Sequence, residues 1–243
     1  MKQSWCLIAG FFSFVHGYSQ FTDTTQYMIR YVGTSIVNRT NDASSYTIAN
    51  GLRFGVSKKA ITLNSNTNWV YGEQQDKLTN NDFQTSVDLN VYSKLKNLYY
   101  WGLGTYESNY SLKVNNRTQA GAGIAYSIVD RPTLFINVSD GILYEFADLK
   151  LTDSTKDVYS TFRNSFRFRF RYAFKDRVTI ESTTFIQNAL EKNDDYILSS
   201  TNSLSLKIIK WISFTTLVKF NKVNRTNREN LLLTFGLTAE KYF

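Results

Sequence analysis

Between positions 162 and 174 the chain alternates two side-chain chemistries. Phe162, Asn164, Phe166, Phe168, Phe170, Tyr172 and Phe174 take every second place, and Arg163, Ser165, Arg167, Arg169, Arg171 and Ala173 fill the others. A guanidinium is permanently charged and presents a planar fork of donors that matches carboxylate or phosphate. Wound as a helix, rings and guanidiniums would mix on every face. As a strand they separate, rings to one side and arginines to the other. A soluble sheet with that pattern buries the rings and leaves the arginines in water. A membrane barrel puts the rings in lipid and a basic wall in its lumen.

Arg53 and Arg117 fall on the same expected inward face as Arg163, Arg167, Arg169 and Arg171. Such a lining attracts anions. Asp88, Glu181 and Glu240 are also expected to point inward, where they would neutralise the row and leave a packed, closed interior. Small barrels fill their interiors with side chains and large ones hold water, so charge alone leaves both outcomes open.

Other chemistry is sparse. Residues 1–19 read as a cleaved secretory signal: Lys2, an apolar core from Trp5 to Val15, and Gly17 and Ser19 at the −3 and −1 positions before Gln20. Cys6 and His16, the single cysteine and histidine, lie within it, and its removal lowers the +8 formal charge by one. The remaining domain, 20–243, has no imidazole or thiolate for proton transfer or nucleophilic attack. Glu145 with Asp148, or Asp194 with Asp195, are the carboxylate pairs left for acid–base work, and acidic residues in loops are usually plain solvated charge. No metal-ligand pattern or phosphate-cradling glycine loop is present, so no metal and no cofactor is expected. Nucleic acid is not an expected partner either, because a stacking platform needs rings and cations on one surface.

The elements that position the arginine row must be strands. Alternation recurs along the chain, as where Phe83, Thr85, Val87, Leu89 and Val91 oppose Gln84, Ser86, Asp88 and Asn90. About twelve strands are predicted, at 26–38, 45–56, 60–71, 83–93, 98–107, 115–128, 133–146, 158–174, 178–188, 196–208, 212–221 and 230–243. The first, fifth and seventh alternate least clearly. Short turns, as at Lys175-Asp176-Arg177, alternate with longer polar stretches near 39–44, 72–82, 108–114, 147–157, 189–195 and 222–229. Across the Lys175–Arg177 turn a three-residue loop sets Phe174 opposite Val178, Tyr172 opposite Ile180 and Arg171 opposite Glu181. The hairpin therefore closes with like facing like. This is the pattern of an all-β, antiparallel, up-and-down transmembrane barrel with short periplasmic turns and longer extracellular loops.

Counting back in twos from Phe243 gives Lys241, Ala239, Leu237, Phe235, Leu233 and Leu231. An apolar face ending on an aromatic residue is similar to the signal by which outer-membrane barrels are recognised for insertion, with Lys241 the departure. Four passages carry a wider likeness: Asn50 to Gly55 (Asn-Gly-Leu-Arg-Phe-Gly), Asn116 to Tyr126, Thr161 to Tyr172, and Leu231 to Gly236. Together they resemble the YdiY-like family of salt-induced outer-membrane proteins, a domain of unknown function. The resemblance implies an outer-membrane β-barrel and carries over no catalytic residue.

The expected protein is a monomeric barrel in the outer membrane of a Gram-negative bacterium. Its partners are the lipid bilayer and, during assembly, the outer-membrane insertion machinery. The leading expectation is a narrow channel or binding barrel for small anionic or polar solutes. The alternatives are a non-conducting structural or interaction barrel linked to envelope stress and, ranked below it, a carboxylate-dependent enzyme.

Overall fold

The computed structural model describes residues 26–39, 44–95, 97–152, 155–192 and 194–243. The expected signal segment, with Cys6 and His16, lies outside the described residues. The elements in order are β1 (Tyr27–Arg39), β2 (Ser44–Lys58), β3 (Ile61–Gln74), β4 (Lys77–Tyr92), β5 (Leu98–Asn109), β6 (Val114–Asp130), β7 (Leu134–Lys150), β8 (Lys156–Phe174), β9 (Val178–Ala189), β10 (Tyr196–Ile209), β11 (Ile212–Val223), the single-turn η1 (Asn224–Thr226) and β12 (Arg228–Tyr242). Every strand pairs antiparallel with its chain neighbours, and β12 pairs with β1 to close the ring. Closure leaves no strand edge unpaired, the condition for carrying a sheet through lipid. The two ends of the described chain clasp each other at the short-turn end: the amides of Gln26 and Tyr27 donate to the Phe243 carbonyl at 2.8 and 3.1 Å.

The register across Lys175–Arg177 is the one read from the sequence, with Phe174 facing Val178, Tyr172 facing Ile180 and Arg171 facing Glu181. The polar stretch expected as a loop over 72–82 is instead mostly strand. The chain turns on Gln75 and Asp76, both left-handed at φ 50° and 58°, and pairs again from Lys77. The strands, 12 to 19 residues long, exceed the 9–11 or so needed to span a bilayer. Beyond the bilayer a strand is wet on both faces, so its sequence loses the alternation and reads as loop.

The outer face carries the apolar residues in an order that suits lipid. Near the loop end the rings pair: Tyr46 with Tyr71 (centroids 6.1 Å apart), Phe83 with Tyr106 (6.4 Å) and Tyr144 with Phe162 (5.3 Å). Near the short-turn end Tyr27, Tyr100, Phe174, Trp211 and Phe243 are exposed. Aromatic residues at both rims of an apolar outer band are the signature of a membrane barrel. Polar side chains on this face bond to one another: Ser182 donates to Asn202 at 2.8 Å, and Asn164 donates to Asp140 at 2.8 Å.

On the inner face, glycines mark where the wall bends. A Cβ on Gly123 would lie 2.6 Å from Trp101 Cζ2 and 2.7 Å from Gly141 Cα, and one on Gly236 would lie 2.5 Å from Thr34 Cα. Gly121 is blocked in the same way by the carbonyl of Ile142. These positions sit at the β6–β7 and β12–β1 seams, six strands apart and so on opposite sides of the ring. Glycine lets a sheet turn a tight corner. Two opposed corners fold the wall so that β1–β6 and β7–β12 face each other across the lumen.

The corner account predicts that Gly123→Val overpacks against Trp101 and the β7 backbone and costs about 1–3 kcal/mol. Gly104→Val, which meets nothing within 4 Å, should stay within about 0.5 kcal/mol of the parent. Urea unfolding of the barrel in lipid vesicles measures both, and equal effects would sink the account.

Candidate functional site

The space between the facing walls is a cavity of about 460 Å³ lined by both charged and apolar side chains. The arginine row runs down one side of it, and its members meet different fates. Arg163 is fully buried beside the apolar cross-strand neighbours Leu143 and Ala189. Its Nη2 donates to Glu145 Oε1 and Asp195 Oδ1, both at 2.8 Å, and its Nη1 donates to the Asp195 carbonyl at 3.1 Å. Tyr159 donates to the same Glu145 oxygen at 2.6 Å, and Gln119 donates to the other at 2.5 Å. From η1, Arg225 reaches Asp157 Oδ2 at 2.6 Å and Asp195 Oδ2 at 2.7 Å, with its guanidinium 3.5 Å from the centroid of the Tyr159 ring. Burial alone would lower the pKa of Arg225, but the hydrogen bonds it donates to Asp157 and Asp195 more than offset it, so the net shift is upward.

This network ties the β9–β10 connection and η1 onto the end of β8. Beside it Leu112, Val114, Ala147, Leu149 and Val223 form a buried apolar cluster. Leu112 belongs to the β5–β6 connection, which folds inward over the mouth. The loop end is therefore plugged by an ion network and an apolar cap.

Further ion pairs line the lumen, two of them joining the facing walls below the Arg163 network and one, Arg117–Glu107, joining the adjacent β6 and β5 at its level. Arg167 Nη1 meets Asp88 Oδ2 of β4 at 3.2 Å, and its guanidinium lies 5.7 Å from the ring centroids of both Trp101 and Phe185. Arg30 of β1 reaches Glu181 of β9 at 2.9 Å; Glu181 also holds Arg171 at 3.5 Å, and Arg30 lies 3.8 Å from Glu240. Arg117 is held by Glu107 at 2.5 Å. Trp101 is 5% exposed, seated where Gly123 and Gly141 leave room, and its Nε1 donates to the Ile124 carbonyl at 3.1 Å.

Three cations on the cavity wall have no carboxylate within ion-pair distance among the described residues. Arg169 lies over the Phe135 ring at 5.7 Å. Arg53 donates to the Asn64 side-chain oxygen at 3.2 Å, and its buried Nε has no hydrogen-bond partner. Lys219 lines the cavity from β11.

The remaining sequence candidates divide between the faces. Phe235, Leu237 and Phe243 are exposed on the outer surface, Phe235 at the middle of β12 and Phe243 at the short-turn end. Glu145 and Asp148 are not brought together: Glu145 is buried in the lumen, whereas Asp148 faces outward beside Asn115 at 3.0 Å and Lys156 at 3.9 Å. Asp195 is buried between two arginines while Asp194 is exposed. Sequence reasoning missed Arg30, Glu107, Lys219 and Arg225. Arg30 sits on the weakly alternating first strand, and Arg225 lies in a segment that reads only as polar loop.

A family model described as "Protein of unknown function, DUF481" matches residues 33–240. The chain belongs to this DUF481 family. It is the same family as the YdiY-like resemblance seen in the sequence. Among curated proteins, none matches the chain. Among solved structures the DUF481 barrel is similar to an outer membrane channel from Pseudomonas putida F1, at TM-score 0.52 and 10% identity, covering 93% of this chain and 98% of that one. It is also similar to the NanC porin, at TM-score 0.50 and 9% identity, covering 89% of this chain and 99% of the porin. At such identities the likeness establishes the fold, an outer-membrane-type barrel, and nothing finer.

In this DUF481 barrel Arg163→Ala would leave Glu145 and Asp195 buried without their shared cation. Breaking a buried pair by removing one partner costs about 3–5 kcal/mol. Urea unfolding should register that loss, while Arg169→Ala, which breaks no ion pair, should shift stability by about 0.5 kcal/mol or less. Equal losses would count against the network as the fastening of the loop end.

Proposed function

We propose that this protein is a monomeric barrel of the Gram-negative outer membrane that acts as a narrow channel or binding barrel for small anionic or polar solutes. The observation that carries this reading is the surplus of cation in the cavity: Arg53, Arg169 and Lys219 have no carboxylate within ion-pair distance among the described residues, while the other lumen arginines do. Fixed charge in a confined, poorly screened lumen favours the counter-ion. Residues 1–19 direct export, and the outward Phe235, Leu237 and Phe243 serve recognition by the insertion machinery. The plugged loop end and the cross-lumen ion pairs favour a small pathway over a wide pore. The same plug supports a second reading, a non-conducting structural or interaction barrel linked to envelope stress.

Planar-bilayer recording of the purified protein separates the two. The channel reading expects small conductance steps with anions more permeant than cations. Arg53→Gln combined with Arg169→Gln should reduce that preference, and Arg225→Gln, which loosens the mouth, should raise conductance. Silence from both the parent and the Arg225→Gln protein would favour the structural barrel. Cation selectivity indifferent to the double replacement would overturn the basic-lumen reading.

A further inference from the structure

We propose that the cavity is a binding site for a hydroxylated organic anion, a sugar acid or sugar phosphate, whose charged group is held between Arg53 and Arg169. The inference rests on the basic-lumen reading above and assigns it a ligand class. Arg53 comes from β2 and Arg169 from β8, so the two stand on opposite walls, and each lies within electrostatic reach of the other. Arg30 adds a third guanidinium to the same neighbourhood and Arg171 a fourth, against the two carboxylates Glu181 and Glu240. Glu181 is already bound by Arg30 and Arg171. Arg53 and Arg169 therefore line opposite walls of the cavity as like charges outside any ion pair among the described residues, an arrangement that an anion between them relieves. A guanidinium fork fits carboxylate and phosphate oxygens alike.

Size and lining decide between a bare ion and an organic one. A cavity of about 460 Å³ falls in the range of small-molecule sites, about 300–1,000 Å³, and exceeds what one inorganic ion fills. Asn66 and Asn68 on one wall and Thr201 and Ser203 on the other supply neutral donors and acceptors around the cation pair. Amides and hydroxyls on both sides, set among apolar side chains such as Leu103 and Leu217, suit a ligand that carries hydroxyl groups on a carbon ring. Along β8, Arg169 lies between Arg167, whose pair with Asp88 crosses the lumen on the loop side, and Arg171, which shares Glu181 with Arg30 on the short-turn side, so the cation pair stands between two sets of cross-lumen ion pairs.

Isothermal titration calorimetry of the intact barrel in detergent micelles tests this. The probes are glucuronate and glucose 6-phosphate; the comparators are glucose, which has hydroxyls without charge, and acetate and inorganic phosphate, which have charge without the hydroxyl array. At least one probe should bind about tenfold or more tighter than every comparator, and which probe does so tells carboxylate from phosphate. Arg53→Gln and Arg169→Gln should each weaken the preferred probe by about tenfold, near 1.4 kcal/mol, and leave glucose unchanged. Arg53→Lys and Arg169→Lys keep the charge without the fork and should fall between, which also covers a Gln variant that fails to fold. Acetate, phosphate or glucose binding as tightly as both probes overturns the proposal, as does probe affinity indifferent to the replacements or no binding at all. If bilayer anion selectivity still depends on Arg53 and Arg169 when both probes fail, this inference falls and the basic lumen stands. If selectivity is also absent, both fall.

Discussion

Lipid offers no hydrogen bonds, so a strand that crosses it must have partners on both edges, and the only sheet without an edge is a closed one. The β1–β12 seam meets that requirement here. Closure then fixes the rest, because each strand has two faces and the ring has one inside. Every residue in the Phe162–Phe174 stretch is assigned to lipid or lumen by parity alone. The arginines go inward less by attraction to the lumen than because the alternative is a charge in hydrocarbon.

Once inside, those charges must be satisfied in a ring of intermediate size. Twelve strands enclose more than neutral side chains readily fill and less than an open aqueous pore. The corners at Gly123–Gly141 and Gly236 resolve part of this by bringing the walls together, which is why a β8 arginine can reach a β4 aspartate. Buried ion pairs of this kind contribute little net stability relative to an apolar core, since desolvation offsets most of the attraction. Their effect is positional. Arg163 and Arg225 fasten connections that would otherwise extend into water, and the Arg30–Glu181 pair fixes the spacing of opposite walls.

The fold was legible because its signal is local. Alternation, turn spacing and the Arg171–Glu181 register all lie within one hairpin or one strand, and all twelve strands fall close to the predicted spans. The boundary errors have a common cause: the ends of β3 and β4 project beyond the bilayer and lose the alternation that marked their middles. The site was much less legible. Arg167–Asp88 and Arg30–Glu181 join residues 79 and 151 positions apart, and which inward residues meet depends on closure, strand tilt and the two corners. Trp101 shows the limit clearly. Tyr99 and Trp101 point inward and Tyr100 points outward, all three are aromatic, and only the space left by Gly123 and Gly141 decides the parity.

The row of arginines also shows why residue type is a poor guide to role. Arg163 and Arg169 share a strand and a face, yet their cross-strand neighbours differ. Arg163 sits between Leu143 and Ala189, so its charge has no local solvation and must recruit Glu145 and Asp195. Arg169 sits between Asn137 and Thr183, whose polar groups tolerate a cation without neutralising it. Apolar neighbours thus turn an arginine into a fastening, and polar neighbours leave one available to a ligand. The distinction rests on four residues flanking two positions, and it converts a uniform basic ladder into a plugged mouth with a charged chamber beneath it.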